Sequence, residues 1–389
     1  MYPILITDKH TCCGCTACAS ICTHNAISMV SDELGFMFPL VDEAKCVGCG
    51  LCVNVCSFNT TYDTRLNLPQ PDSYAVRHKD IDEIQASQSG AAFVLFSDWV
   101  LENGGVVYGV GYEGHFHVTH KRALNKEQRD EFRGSKYVQS DLRGVFKQVR
   151  QDLNEGRMVC FSGTPCQTAG LSSFVGPHLR NKLYLIDIVC HGVPSPKMWE
   201  DYITYLEVKE KKNITSVNFR DKKIKGWKSH IESFVFNNTH TYGCTYTHMF
   251  YSHINLRHSC STCHYCNTKR PSDVTIADFW DIGKISETFA SDNKGCSLVL
   301  VNTLKGEEWF NAIERKAEIL PTRLQDSLQA QLCYPNPQHS QRDVFEKDYI
   351  RLGFKKTLEK WEFIGWRKGV RKYWGYPFRL IKRIIRKYI

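Results

Sequence analysis

No stretch of the 389 residues approaches the roughly 18 to 20 uninterrupted apolar positions of a membrane span. The opening segment, Met1 to His10, has no basic cluster, no long apolar run and no small-residue cleavage site. These absences argue against secretion and bilayer insertion, so the expected compartment is the cytoplasm. The body of the chain also lacks a surplus of either charge. Of 50 Lys+Arg and 41 Asp+Glu, nine bases and no acids fall in Arg367 to Ile389, leaving 41 of each sign elsewhere. Basicity is therefore a property of the tail alone, and with no recognised base-reading module beside it, nucleic-acid binding is not expected. A hydrophobic content of 42% with 23% charged residues excludes a disordered chain, and the length suits two or three domains.

Cysteine is abundant, with 18 residues, although cytoplasmic proteins seldom form disulfides. Twelve of them cluster: five from Cys12 to Cys22, four from Cys46 to Cys56 and three from Cys260 to Cys266. The first two groups form an internal repeat. Cys12, Cys15, Cys18 and Cys22 recur as Cys46, Cys49, Cys52 and Cys56, each displaced by 34 residues. Thiolates at i, i+3 and i+6 let one loop wrap three corners of an iron–sulfur cube, and a more distant thiolate closes the fourth. Both runs resemble the bacterial two-[4Fe-4S] ferredoxin pattern. In that arrangement the fourth ligand is exchanged, giving Cys12, Cys15, Cys18 and Cys56 for one cluster and Cys46, Cys49, Cys52 and Cys22 for the other. Zinc ribbons or inert thiols are the competing account, although zinc favours two separated C-x2-C pairs. Thr23 and Ser57 stand where the ferredoxin pattern has proline, Cys13 fits neither register, and Gly14, Gly48 and Gly50 permit tight turns.

The third group, Cys260, Cys263 and Cys266, repeats the spacing but needs a distant fourth ligand. Cys190, at the end of the apolar run Leu183 to Val189, is the expected one for a third [4Fe-4S] cluster. A three-thiol zinc site, with or without His264, or no metal at all, remains the alternative.

Residues 1–62 thus read as a dicluster module, and the polar, proline-containing 63–73 as a linker. From 74 to 303, apolar runs at Val106–Val110, Met158–Phe161, Leu183–Val189, Val274–Ala277 and Leu298–Val301 read as buried strands. Phe93–Leu101 and Ser140–Leu153 read as helices between them. The fold class is α+β or α/β: a small ferredoxin-like module followed by a larger α/β domain. Residues 304–366 read as a helical cap, and 367–389 as a basic amphipathic helix suited to an anionic membrane surface or an acidic partner. Such a tail would make the chain peripheral on the inner face of the membrane.

Within 74–303 lie Ser87-Gln-Ser89-Gly90-Ala91, Gly134-Ser135-Lys136-Tyr137, Ser162-Gly163-Thr164-Pro165-Cys166-Gln167, Cys190-His191-Gly192-Val193-Pro194 and Ser272-Asp273-Val274-Thr275-Ile276-Ala277-Asp278. Together these segments resemble the coenzyme F420 hydrogenase/dehydrogenase beta-subunit family. The resemblance implies an FAD-containing iron–sulfur oxidoreductase that exchanges electrons between its clusters and a deazaflavin or another organic substrate. A ferredoxin-like protein would serve as electron donor or acceptor. Ser89, Gly90, Ser135, Lys136, Gly163, Thr164 and Gln167 are the candidate flavin contacts, with Lys136 facing a phosphate or a reduced ring. His191 and Asp278 are the candidate proton-transfer groups, while His248, His253, His258 and His264 read as ordinary. The rival function is a noncatalytic relay protein that holds clusters but needs no substrate pocket.

Overall fold

Each N-terminal cysteine run makes a loop that turns at a glycine in the left-handed region, Gly14 at φ 71° and Gly48 at φ 70°, and then enters a short helix. The helices are Ala17–Ile21 and Leu51–Asn54, and their N-caps, Thr16 and Gly50, are both left-handed, so the internal repeat extends to the backbone. The computed structural model describes residues 5–6, 8–58, 63–237 and 239–365; the basic amphipathic helix expected over 367–389 lies outside the described residues. An antiparallel hairpin, Ile27–Ser31 with Met37–Val41, joins the two loops. Its turn carries Leu34 and Phe36, both fully buried, into the core of the larger domain. There Ser195 Oγ and Lys197 N donate to Leu34 O at 2.6 and 3.1 Å.

The larger domain is built on an eight-stranded mixed sheet in the order Ala317–Thr322, Asn67–His78, Ser297–Thr303, Val274–Asp278, Leu183–Ile188, Val159–Gly163, Val106–Glu113, His117–Ala123. The strands starting at 106, 159, 183 and 274 run parallel, and the flanking ones are antiparallel. Ser297–Thr303 is buried at every position, which explains its continuous apolar run. Helices Ala92–Glu102, Val145–Asn154, Pro165–Val175 and Leu304–Ile313 pack on the sheet. A second core gathers around helix Pro196–Glu210 and the three-stranded sheet of Ser216–Asn218, Glu232–Phe236 and Thr239–Gly243. Helices Arg342–Leu352 and Phe354–Lys360 close this core.

Three expectations are corrected. Residues 67–73 are not linker, because Asn67–His78 is a strand inside the sheet. Its Pro69 and Pro71 are tolerated where the pairing to Ser297–Thr303 shifts register between Val301 and Thr303. The helical cap at 304–366 is interrupted by Ala317–Thr322, which pairs with Asn67–His78 and so belongs to the sheet. The helix expected from Ser140 begins at Val145, after Gly144 at φ 81°, because Asp141 is held in a bridge to Thr119. Among the described residues, no helix is long and apolar enough to cross a membrane.

Candidate functional site

The two N-terminal loops bring their thiols together in the exchanged sense. Burial raises the Cys12 and Cys18 thiols, and Cys15 and Cys56 act on both, so Cys56 stands with the first run. Cys22, Cys46, Cys49 and Cys52 line one small cavity, shared with His24, Ala26, Ile27, Val41, Val47, Gly50 and Leu51. One buried hydroxyl beside the first set, Thr16 Oγ1, has no protein partner. A hydroxyl donor left unspent beside four thiols matches the sulfur acceptors of an iron–sulfur cube. Among the described residues no three cysteine sulfurs lie within 4.8 Å of one another, so none of the groups is closed around a single ion.

At the third group, burial pushes Cys190 well above the usual thiol range, with Cys260, Cys166 and Cys263 adding to the effect. Val193 N–H donates to Cys260 Sγ at 3.4 Å, and burial pushes that thiol up to about 12. A hydrogen bond from Cys266 draws Cys263 down to about 7. The structure therefore gathers Cys190, Cys260, Cys263 and Cys266 and adds a fifth thiol, Cys166. Cys166 also hydrogen-bonds Cys13, which in turn bonds Cys15. Cys13 and Cys166 thus lie between the first thiol set and the third. The third loop is anchored by the buried pair Arg270–Asp187 at 3.0 Å, with Arg270 Nη1 also donating to Tyr265 O at 2.6 Å.

A cavity of about 1060 Å³ opens at the carboxyl ends of the parallel strands, where open α/β sheets place ligands. Its wall includes Ser89, Ser135, Lys136, Gly163, Thr164, Gln167, Cys190, His191 and Asp278, so the separate sequence segments converge there. Gly90 does not reach the wall. Its role is close packing, since a Cβ there would lie 2.2 Å from Val76 O. Helix Ala92–Glu102 starts at the wall without a cap from its own N-cap side chain; Ala92 N–H reaches Ser297 Oγ at 3.5 Å, and the positive end of the helix faces the cavity. Ser87 Oγ and Gln88 Nε2 are buried on this wall with no protein partner, which suits a large polar ligand.

The Gly-Thr-Pro turn is held by a polarised hydrogen-bond chain. Thr164 N–H donates to Gln167 Oε1 at 2.9 Å, Gln167 Nε2 to Ser140 Oγ at 3.0 Å, and Ser140 O–H to His120 Nδ1 at 2.9 Å. His120 Nε2–H then donates to Ser162 O at 3.1 Å, fixing the tautomer, because a carbonyl can only accept. Burial lowers His120 to about 4, so the ring is neutral near pH 7.

Other candidate side chains are already engaged. Lys136 Nζ donates to Glu131 O and Arg133 O at 2.7 and 3.0 Å, and burial lowers it to about 7. The ammonium expected at a phosphate is thus held by its own loop. Asp278 accepts from Arg220 Nη1 and Trp227 Nε1, each at 2.5 Å, which makes it a holder of the wall instead of a free acid. His191 lies 2.9 Å from His253, nitrogen to nitrogen, and burial lowers it to about 4. His253 is therefore a partner of a wall residue and not an ordinary histidine. Sequence reasoning also missed Cys166 and the His120–Ser140 pair. The position of Cys166 in the first turn of Pro165–Val175, just after a turn already singled out, was the available signal.

Residues 156–326 match the family described as the C terminus of the coenzyme F420 hydrogenase/dehydrogenase beta subunit, and residues 11–60 match the 4Fe-4S dicluster domain. Among solved structures, the chain is similar to the F420-reducing nickel–iron hydrogenase complex of Methanosarcina barkeri, solved for xenon derivatization. That likeness has 14% identity and a TM-score of 0.45, covering 77% of this chain and 94% of that one. No curated protein matches in sequence. With the dicluster domain in front, the chain thus carries a module of the coenzyme F420 hydrogenase/dehydrogenase beta-subunit family over residues 156–326 and is an iron–sulfur electron-transfer protein.

Proposed function

We propose that the chain is an iron–sulfur flavoprotein oxidoreductase that passes electrons between a one-electron carrier protein, such as a ferredoxin, and an organic substrate. Cys12, Cys15, Cys18 and Cys56 would hold one [4Fe-4S] cluster, and Cys46, Cys49, Cys52 and Cys22 the second. Cys190, Cys260, Cys263 and Cys266 would hold a third. The observation that carries the proposal is that Cys190 lies on the wall of the cavity that also carries the polar residues Ser89, Ser135, Thr164 and Gln167. Thiols and an organic ligand therefore share one boundary.

FAD is the proposed occupant; when bound, it supplies the exchange between a two-electron hydride and single electrons. The start of Ala92–Glu102, with Ser87, Gln88 and Ser89, would receive its pyrophosphate. Gly163, Thr164 and Gln167 would meet the ring, and the His120 chain keeps that turn rigid. Ser135 sits on the same wall and offers a hydroxyl. His191, neutral and hydrogen-bonded to His253, can hold or accept a proton at the wall.

Anaerobic purification with iron and flavin quantification tests the proposal. The expected result is about twelve iron atoms and one FAD per chain, with Cys263→Ala losing about four iron atoms. Unchanged iron in that variant removes the third cluster. Iron without flavin removes the enzyme and leaves an electron relay.

A further inference from the structure

Arg257 is 2% exposed, yet among the described residues none of its partners is a carboxylate. Its donors go to Cys12 O at 2.7 Å, Gln139 Oε1 at 2.9 Å, Met37 O at 2.9 Å and Cys12 Sγ at 3.6 Å. The Phe38 and Phe36 rings lie 4.2 and 5.4 Å from the guanidinium carbon and help exclude water. The loop is shaped to admit this cation. A Cβ on Gly14 would stand 2.9 Å from both Arg257 Nη1 and Gln139 Nε2. A buried charge costs several kcal/mol unless an opposite charge lies close. Here the anion has to come from the thiol set that Arg257 touches.

The second set is built differently. Cys49 is exposed, and Cys22 Sγ receives a backbone N–H from Ala26 at 3.3 Å. Among the described residues no side-chain cation contacts its sulfurs. The two halves of the repeat therefore share spacing and backbone but differ in electrostatics. The inner set has a cation and the unspent hydroxyl of Thr16, and the outer set has neither.

We propose that Arg257 makes the inner cluster, at Cys12, Cys15, Cys18 and Cys56, the higher-potential member of the N-terminal pair; this rests on the cluster assignment above. A single electron shared by the pair then resides on the inner cluster. In that step the outer cluster is oxidised by one electron and the inner one reduced by one, with no proton or further reactant. Reduction adds negative charge beside a fixed positive one in a medium of low dielectric, so the guanidinium favours the reduced form. Burial alone would disfavour it, because the reduced cluster is the more highly charged.

The experiment is an anaerobic dithionite titration of the full chain, followed by electron paramagnetic resonance, with Arg257→Gln and Arg257→Lys. Arg257→Gln is expected to weaken reduction of one N-terminal cluster at least tenfold, about 59 mV for one electron, and to leave the other unmoved. Lysine, which keeps the charge, restores most of the shift. The shift persists in a Cys49→Ala background, where the outer cluster is absent. Unmoved midpoints at full iron content, equal shifts of both clusters, or loss of the shift in the Cys49→Ala background overturn the proposal. If Arg257→Gln loses iron, Gln139→Glu sets a carboxylate against the same guanidinium; an unmoved midpoint there overturns it equally. Absence of both N-terminal signals from the wild-type chain sinks the cluster assignment instead.

Discussion

Replacing Gly170 by alanine sets two physical effects against each other on the helix that follows the Gly-Thr-Pro turn. In the middle of a helix this change ordinarily stabilises by about 1 kcal/mol, because glycine loses more backbone entropy on folding. Gly170 sits within Pro165–Val175, and a Cβ there would lie 2.7 Å from Cys15 Sγ and 2.9 Å from Cys15 Cβ. Ordinary contact begins more than half an ångström farther out. Cys15 has little freedom to retreat, since Arg257 holds Cys12 O and Gln139 Nε2 holds Cys13 O at 2.9 Å. Overpacking a fixed site costs roughly 1–3 kcal/mol, so the net expectation is a loss of about 0 to 2 kcal/mol. The sharper readout is metal. A displaced Cys15 thiol opens one corner of the inner cluster, and Gly170→Ala is expected to retain up to about four fewer iron atoms after anaerobic reconstitution. Urea unfolding of the apoprotein gives the stability, and iron quantification gives the cluster. A variant about 1 kcal/mol more stable than wild type, with full iron, would show that the helix does not press on the ligand loop and would refute the reasoning.

Two other perturbations test the supports of the site. Asp187→Ala leaves the Arg270 guanidinium, 1% exposed, without its counter-ion beneath the third cysteine loop. The expected cost is roughly 3–5 kcal/mol in chemical unfolding, and a loss under 1 kcal/mol would mean that the pair is not buried as described. His120 titrates near 6.5 when unfolded and about 4 when folded, because burial disfavours the charged ring. Above pH 6.5 both states are neutral. As pH falls from there towards 4, the unfolded chain binds the proton first, and stability drops by roughly 3 kcal/mol in all. His120→Gln can keep both hydrogen bonds, so its urea midpoint is expected to vary less with pH between 5 and 6.5. Equal slopes for the two proteins would exclude His120 as the source.

The cysteine runs were legible because cluster binding is local: three ligands at i, i+3 and i+6 need only one loop, and the 34-residue offset repeats that loop. The buried parallel strands were legible for a related reason, since burial on both faces leaves an uninterrupted apolar run such as Leu298 to Val301. The strand at 67–78 was not. Its first half is polar and contains two prolines, and only its pairing with 297–303 and 317–322 makes it extended. The strand at 317–322 was hidden likewise, between helices in sequence and at the edge of a sheet in space.

The same distinction separates the candidate site into two parts. Gly163, Thr164 and Cys190 stand at or just past strand ends, where a run of apolar residues stops at small or polar ones, and that junction is written in the sequence. Arg257 and His120 are not marked by any neighbour. Arg257 precedes the third cysteine group by three positions and spends its charge on the first, 245 residues away. His120 lies in the strand 117–123 and reaches the turn at 162–164 through a serine from a third segment. Such residues gain their roles only when the sheet brings distant segments together. The repeat also illustrates the limit: equal spacing in its two halves implies equal clusters, yet one half meets a buried cation and the other meets solvent. If the two sites differ in potential, the difference comes from the larger domain and not from the dicluster module itself.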